Sequence, residues 1–293
     1  MRRQKAKTRP PGDRRRAQAG ALPARLALYA FLLALSLVFL FPFYWLLTSA
    51  FKSQAQIFAM PPQWIPAPIR FANFTSLAAE TGLPRAFFNS VVTSVGHVSL
   101  ALFLCSLAGY AFARFREAPG NEALFAFVLA TMMIPGAVTL IPSFLVLVKL
   151  HLIDSYWALI VPGAANAFGI YWMRQYMRAN IPDDLIHAAR IDGCSEFGIY
   201  WRVALPIAQP ALAALGIMLL IGAWNNLMWA FIVLRTREMQ TLPVVIYLLQ
   251  GEIRTPYGML MAGGLIATLP LILAFLLFQR HFIRGITAGA IKA

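Results

Sequence analysis

His187-Ala188-Ala189-Arg190-Ile191-Asp192-Gly193, followed nine residues later by Val203-Ala204-Leu205-Pro206, is a charged island between long apolar runs. The surrounding segment 174–202 carries Arg174, Arg178, Asp183, Asp184, Arg190, Asp192, Glu196 and Arg202. At roughly 2.5 kcal/mol or more per charge at a helix centre, inserting all of them into lipid would cost on the order of 20 kcal/mol. The island is therefore expected to face water, and the runs on either side are not.

Working outward, the chain is 60% hydrophobic and only 12% charged. An ordinary soluble domain carries about 25% charged residues, so the class is integral membrane. Six stretches lack Asp, Glu, Lys and Arg: 26–51, 86–113, 123–148, 155–173, 203–234 and 255–279. A crossing helix needs about 20 apolar residues. All six qualify, the fourth barely, which predicts an all-α fold with six transmembrane helices. Pro42, Pro135, Pro142, Pro162 and Pro270 interrupt these runs. They read as kinks, or as kinks lining a pathway, wherever neighbours satisfy the freed carbonyls.

With six spans both termini share one side. That side would hold 18 of the 25 Lys and Arg residues. The positive-inside rule then places both termini and the island in the cytoplasm. The same rule accounts for the net charge of +14 without nucleic acid. Residues 1–23 read as a basic, disordered cytoplasmic segment, 24–284 as the transmembrane domain with its loop at about 182–206, and 285–293 as a cytoplasmic tail. The first run is too long for a secretory h-region and lacks a small-residue cleavage site, so it reads as an uncleaved anchor.

No Gly-x-x-x-x-Gly-Lys-Ser/Thr, His-Glu-x-x-His, Gly-x-Ser-x-Gly or Cys-x-x-Cys occurs. His97, His151, His187 and His281 are scattered, so no shared metal site is expected. Cys105 and Cys194 read as free thiols. His97 reads as a neutral group bonded to a neighbouring helix, or as a functional intramembrane group. The runs hold no Asp, Glu, Arg or Lys, which counts against proton-driven transport.

Within the island, Ile181-Pro182-Asp183-Asp184 has the pattern of a helix start, with Pro and carboxylates near the positive helix end. A short amphipathic helix should run to Asp192 and stop at Gly193, where glycine accepts a positive φ. Ser195 can cap a second short helix, and Leu205-Pro206 should begin the next span.

The spacing His-Ala-Ala-x3-Gly-x9-Val-x-Leu-Pro resembles the EAA loop of permeases of ATP-binding cassette importers. The family pattern has Glu where this chain has His187, and Ile where it has Val203. Phe41-Pro42-Phe43-Tyr44-Trp45, Ser106-Leu107-Ala108-Gly109-Tyr110, Met133-Ile134-Pro135-Gly136, Ala223-Trp224-Asn225-Asn226 and the tail Gly285–Ala290 are similar to the maltose-type carbohydrate branch, specifically its smaller six-span subunit.

This resemblance implies the type I importer permease fold in a multi-pass cell-membrane protein. It also implies a heterodimer with a second permease, two cytoplasmic ATPase subunits and an extracytoplasmic solute-binding protein. The cargo would be a sugar or oligosaccharide. The chain would have no catalytic activity and no cofactor, since ATP and Mg would sit on the partner ATPases. His187, Ala188, Ala189, Asp192, Gly193, Leu205 and Pro206 would couple it to them. The resemblance places sugar contacts mainly on the other permease. Trp224, Asn225 and Asn226 therefore stay open between helix-to-helix bonding and lining a translocation path. A stand-alone transporter or channel is the alternative; a membrane-embedded enzyme lacks convergent catalytic groups.

Overall fold

The computed structural model describes residues 11–251 and 255–290, with side chains over 25–251 and 255–277. The described residues are helical, without a strand. α1 (Pro11–Ser49) is long and apolar from Arg25 onward. Leu28, Phe31, Leu33, Leu37, Val38 and Phe39 are all exposed, although they point in every direction around it. A helix apolar all round needs lipid or another protein around it. Residues 1–10 of the expected disordered segment lie outside the described residues, as do 291–293 of the tail.

After α1 come the short α2 (Gln54–Ile57), closed by a capping box between Ser53 and Gln56, and α3 (Ala72–Thr81). Gly82 turns the chain at φ 68° into α4 (Leu83–Arg114), the spine of the bundle. α5 (Asn121–Thr131) and α6 (Gly136–Lys149) meet at 101°. Pro135 lies in the break; it lacks a donor and keeps Ile134 out of helical geometry.

The expected fourth span, 155–173, is not one helix. α7 (Trp157–Ile160) stops, Gly163 turns at φ 75°, and Asn166 caps α8 (Ala167–Asn180) by accepting from the Gly169 N–H at 2.7 Å. α8 runs on past the apolar run into the charged segment. Its Arg174 is buried, but not alone: it pairs with Glu122 at 3.0 Å and lies 3.9 Å over the Phe125 ring. A charge paired and stacked between helices escapes the cost of meeting lipid singly.

The island forms α9 (Asp183–Ile191), α10 (Glu196–Ile199), a π-helical turn at Tyr200–Ala204 and α11 (Leu205–Ile207). The chain then bends by 79° into α12 (Gln209–Trp224), so the fifth span starts later than Leu205. Pro206 and Pro210 each deny a hydrogen bond to the carbonyl four residues back, which loosens this turn. α13 (Leu227–Val233) follows a second break at Asn225–Asn226, then α14 (Leu242–Gln250) and α15 (Tyr257–Ala290). By length and composition the described residues thus supply three straight crossing helices and two bent pairs.

The largest core joins α4, α8, α12 and the island through Cys105, Met173, Met177, Ile186, Tyr200 and Leu215. A second joins α3, α4, α14 and α15, and a third joins α6, α7 and α13.

Candidate functional site

The island is clamped to the bundle by one guanidinium. Arg114 ends α4, and its side chain is only 2% exposed. It donates to the carbonyls of Met177 at 3.0 Å and Ile181 at 2.7 Å, and it pairs with Asp183. These contacts fall at the end of α8, where the Met177 carbonyl also accepts the Ile181 N–H at 3.2 Å, and at the first turn of α9; a cation is favoured at the one and a carboxylate at the other. Ile186 on the inner face of α9 is 1% exposed, which fastens the helix a turn further on.

Gly193 then turns at φ 80° with nothing within 4 Å of where a Cβ would sit. Backbone geometry, not crowding, asks for glycine there. Ser195 caps α10 by accepting from Gly198 N–H at 3.2 Å. Glu196 receives Arg190 Nε at 2.6 Å and the Tyr110 hydroxyl at 3.3 Å, tying α9, α10 and α4 together. The Arg190 hydrogen bond holds the Glu196 carboxyl below its ordinary range, against a partial desolvation that works the other way. Tyr200, 1% exposed, shares a 2.9 Å hydrogen bond with Ser106.

The outward surface is different. Leu185, Ile191, Phe197 and Trp201 are exposed, Ile191 at 86%, and Phe197 stacks on Trp201. Such a patch beside charged residues has the make-up of a protein-contact surface. His187, Ala188, Asp192, Gly193 and Pro206 share this exposed side, while Ala189 and Leu205 are half-buried against the bundle. His187 borders a groove of 370 Å³ with Arg114, Arg116, Glu117, Asp183 and Arg190.

Behind the island, α4 and α8 touch almost backbone to backbone. A Cβ on Gly109 would sit 2.6 Å from Met173 Cβ and 2.9 Å from Arg174 N. A Cβ on Gly169 would sit 2.7 Å from Cys105 Sγ. Arg114 closes the stretch Ser106–Arg114 that resembles the carbohydrate permease branch, but neither it nor Arg174 has a role assigned from sequence. The available signal for Arg114 was a basic residue in the last turn of a long apolar helix, a position that serves helix-end carbonyls.

Halfway along α4 lies a cavity of 330 Å³, lined by Thr93, His97, Asn166, Trp224, Asn226 and Trp229 among others. The three path residues separate here. Trp224 is buried at the cavity wall: its Nε1–H donates to Ala267 at 3.0 Å and its ring meets Phe87 edge-on. Asn225 is exposed, donates to Ile221 at 2.9 Å and does not line the cavity. Asn226 does line it. His97 Nδ1 lies 3.0 Å from the Ile160 carbonyl, a bond to a neighbouring segment. Among the described residues no three His, Cys, Asp or Glu side chains gather into a metal site.

The family model for the inner membrane component of binding-protein-dependent transport systems matches residues 101–288. The chain belongs to this family. The matched stretch contains the island, its anchors on α4 and α8, and most of the cavity wall. An arabinooligosaccharide transport system permease protein of Bacillus subtilis (strain 168), AraQ, is 38% identical over 271 residues, covering 92% of this chain and 96% of the relative. A lactose transport system permease protein of Rhizobium radiobacter, LacG, is 32% identical, with 90% and 95% covered. A chain of a bacterial ABC transporter that imports the acidic polysaccharide alginate superposes with a TM-score of 0.74 at 24% identity, covering 94% of this permease and all of that chain. The fold is therefore that of an importer permease, in a component of the inner membrane.

Proposed function

We propose that this permease imports a sugar or oligosaccharide and that its island is the lever through which separate ATPase subunits move it. The observation that carries this reading is the island's two-sidedness. Its inner face is fixed to α4 and α8 by Arg114 and Ile186, while Leu185, Ile191, Phe197 and Trp201 are left for a partner. A push on that face reaches α4 and α8 through contacts with no slack. Binding of ATP to the partners must favour one packing of the bundle over another, since equal affinity would shift nothing. The sugar cargo is supported by the relatives' names.

The assembly is a heterodimer with a second permease, two ATPase chains that carry ATP and Mg, and an external solute-binding protein. Both termini and the island face the cytoplasm, as the Lys/Arg distribution favours. His187, Ala188, Ala189, Asp192, Gly193, Leu205 and Pro206 form the coupling surface and its hinge. His187 replaces the acidic residue of the related pattern, and histidine cannot supply an anion. The ATPase surface facing it is adapted accordingly.

Co-purification tests the assembly: the tagged chain should bring down a second permease and two ATPase chains, and sugar uptake in liposomes should require ATP. ATP-independent uptake by the chain alone would overturn the reading. Within the assembly, His187→Glu should lower transport-coupled ATPase activity; a rise would refute the adapted partner surface.

A further inference from the structure

The cavity beside α4 is supplied with polar groups that the fold does not use. The Asn226 side-chain amide, two donors and one acceptor oxygen, has no partner among the described residues. His97 Nδ1 faces a carbonyl, which only accepts, so Nδ1 carries the hydrogen and Nε2 is left without a protein partner, available to a ligand hydroxyl. The Thr241 hydroxyl at the cavity wall is buried without a partner. Rotation about χ1 exchanges it with the methyl group, so it can be turned inward. By contrast, Ser90 Oγ already accepts from Leu242 N–H at 2.8 Å, and Asn166 Oδ1 accepts from Gly169 N–H at 2.7 Å. Buried polar groups are seldom left unmatched, and a run of spare ones calls for a ligand or ordered water.

We propose that this cavity is a binding subsite for one ring of a neutral, hydroxyl-rich saccharide, held by Asn226, His97 and Thr241. No Lys, Arg, Asp or Glu lines it, so an anionic sugar would meet no countercharge. The indole N–H of Trp229 is engaged by Ala158 at 2.9 Å, which leaves ring carbon for the C–H face of a sugar. The volume of 330 Å³ lies at the lower end of small-molecule sites, which start at about 300 Å³. His97 sits near the middle of the 32-residue α4, where transporter sites gather at mid-membrane depth. The subsite deepens the proposed sugar import and rests on it. It adds a contact on this chain to those that the resemblance assigns to the other permease.

The test is saturation-transfer NMR on the full chain in nanodiscs, with arabinobiose and lactose as neutral probes and digalacturonate as the anionic one. Both neutral sugars should bind, and digalacturonate should not. Thr241→Val and Asn226→Leu remove no protein–protein hydrogen bond, so they should melt no lower than the parent. Each should weaken binding by about 3- to 10-fold, the worth of one hydrogen bond. Gly222→Phe projects from a cavity-lining position with nothing within 4 Å and should abolish binding. Should that variant misfold, the near-isosteric Thr241→Val still decides. Absence of binding by either neutral sugar, equal binding by the Val and Leu variants, or tight binding of digalacturonate would each overturn the subsite; water is then the occupant. Co-purification with ATPase chains is scored separately on the parent, so loss of the importer reading is not confused with loss of the subsite.

Discussion

The two halves of α4 are built on opposite plans. Toward its C-terminus, Cys105, Gly109 and Ala113 are buried against α8, and Arg114 locks the joint. Toward its middle, Thr93 and His97 border open space; the Thr93 hydroxyl donates to Asn89 at 2.8 Å, while only Nδ1 of the two His97 ring nitrogens has a protein partner. The tight half has no room to absorb a displacement, so it can pass one on. The loose half has room and unspent polarity, so it can hold something. One helix thereby joins a lever to a chamber. Close packing transmits strain, whereas a cavity forfeits contacts that only an occupant restores.

Glycine-to-alanine changes on this one helix break the comparison most sharply. At Gly109 the new methyl meets Met173 Cβ and the Arg174 backbone, neither of which can swing aside. Overpacking of this kind costs about 1–3 kcal/mol, and we expect the upper end. At Gly96 it meets the far end of the Ile160 side chain at 2.8 Å, which can rotate away. There we expect less than about 1 kcal/mol, partly offset by helix propensity. Melting curves of the two variants in the same detergent check this; equal losses would mean that α4 is packed alike along its length.

Arg114→Ala comes next. It strands the Ile181 carbonyl, takes one of two hydrogen bonds from the Met177 carbonyl and leaves Asp183 unpaired. Hydrogen bonds from a charged donor are worth about 1.5–3 kcal/mol each, less where water can replace them. We expect about 2–4 kcal/mol, concentrated at the α8–α9 joint. Amide exchange should accelerate over 177–192 and stay unchanged around the cavity. Uniform acceleration would mean that Arg114 supports the whole bundle rather than the lever.

How much of this was legible in the sequence differs between the two halves. The island was: Pro182, Gly193 and Ser195 act locally, through fixed φ, positive φ and a side-chain cap, and all three do so as expected. The long apolar helices were legible for the same reason, since their signal is continuous. The run 155–173 was misread because an apolar stretch sets no helix axis. Pro162 and Gly163 break it, and the residues against which Arg174 is buried, Glu122 and Phe125, lie far away in sequence. The cavity was beyond reach for that reason also. Thr93, Asn166, Asn226 and Thr241 come from four separate stretches, and nothing local marks them as neighbours.

Gly193→Ala is a smaller perturbation, and it probes the lever without touching its packing. A Cβ there meets no atom, so the cost is the left-handed backbone alone, roughly 1–2 kcal/mol. Stability of the chain should fall little, while uptake per ATP hydrolysed should fall more, because the angle between α9 and α10 is what changes. Unaltered coupling would show that the hinge angle is not what the partner reads.

The smallest expected effect lies at the far end of the bundle, at Asp154, and it tests whether the lever end and the opposite end are fastened independently. Asp154 Oδ1 accepts from the backbone N–H groups of Arg235 at 2.8 Å and Thr236 at 3.1 Å, joining the turn after α6 to the chain after α13. Burial raises its pKa, but these hydrogen bonds outweigh it and hold the carboxyl below its ordinary 3.8. A depressed folded value means that the clasp contributes fully above 3.8 and loses its contribution as pH falls through the folded value. Asp154→Asn keeps a residue tolerant of the φ of 59° found here and removes only the charge. The variant should therefore melt slightly below the parent at about pH 6, and the gap should shrink only as pH falls below 3.8, through the depressed folded value. A gap that does not shrink at all as the pH is lowered below 3.8 would assign the clasp to shape rather than charge. Either way, island-side amide exchange should be unmoved, because no side-chain contact of Asp154 reaches α9.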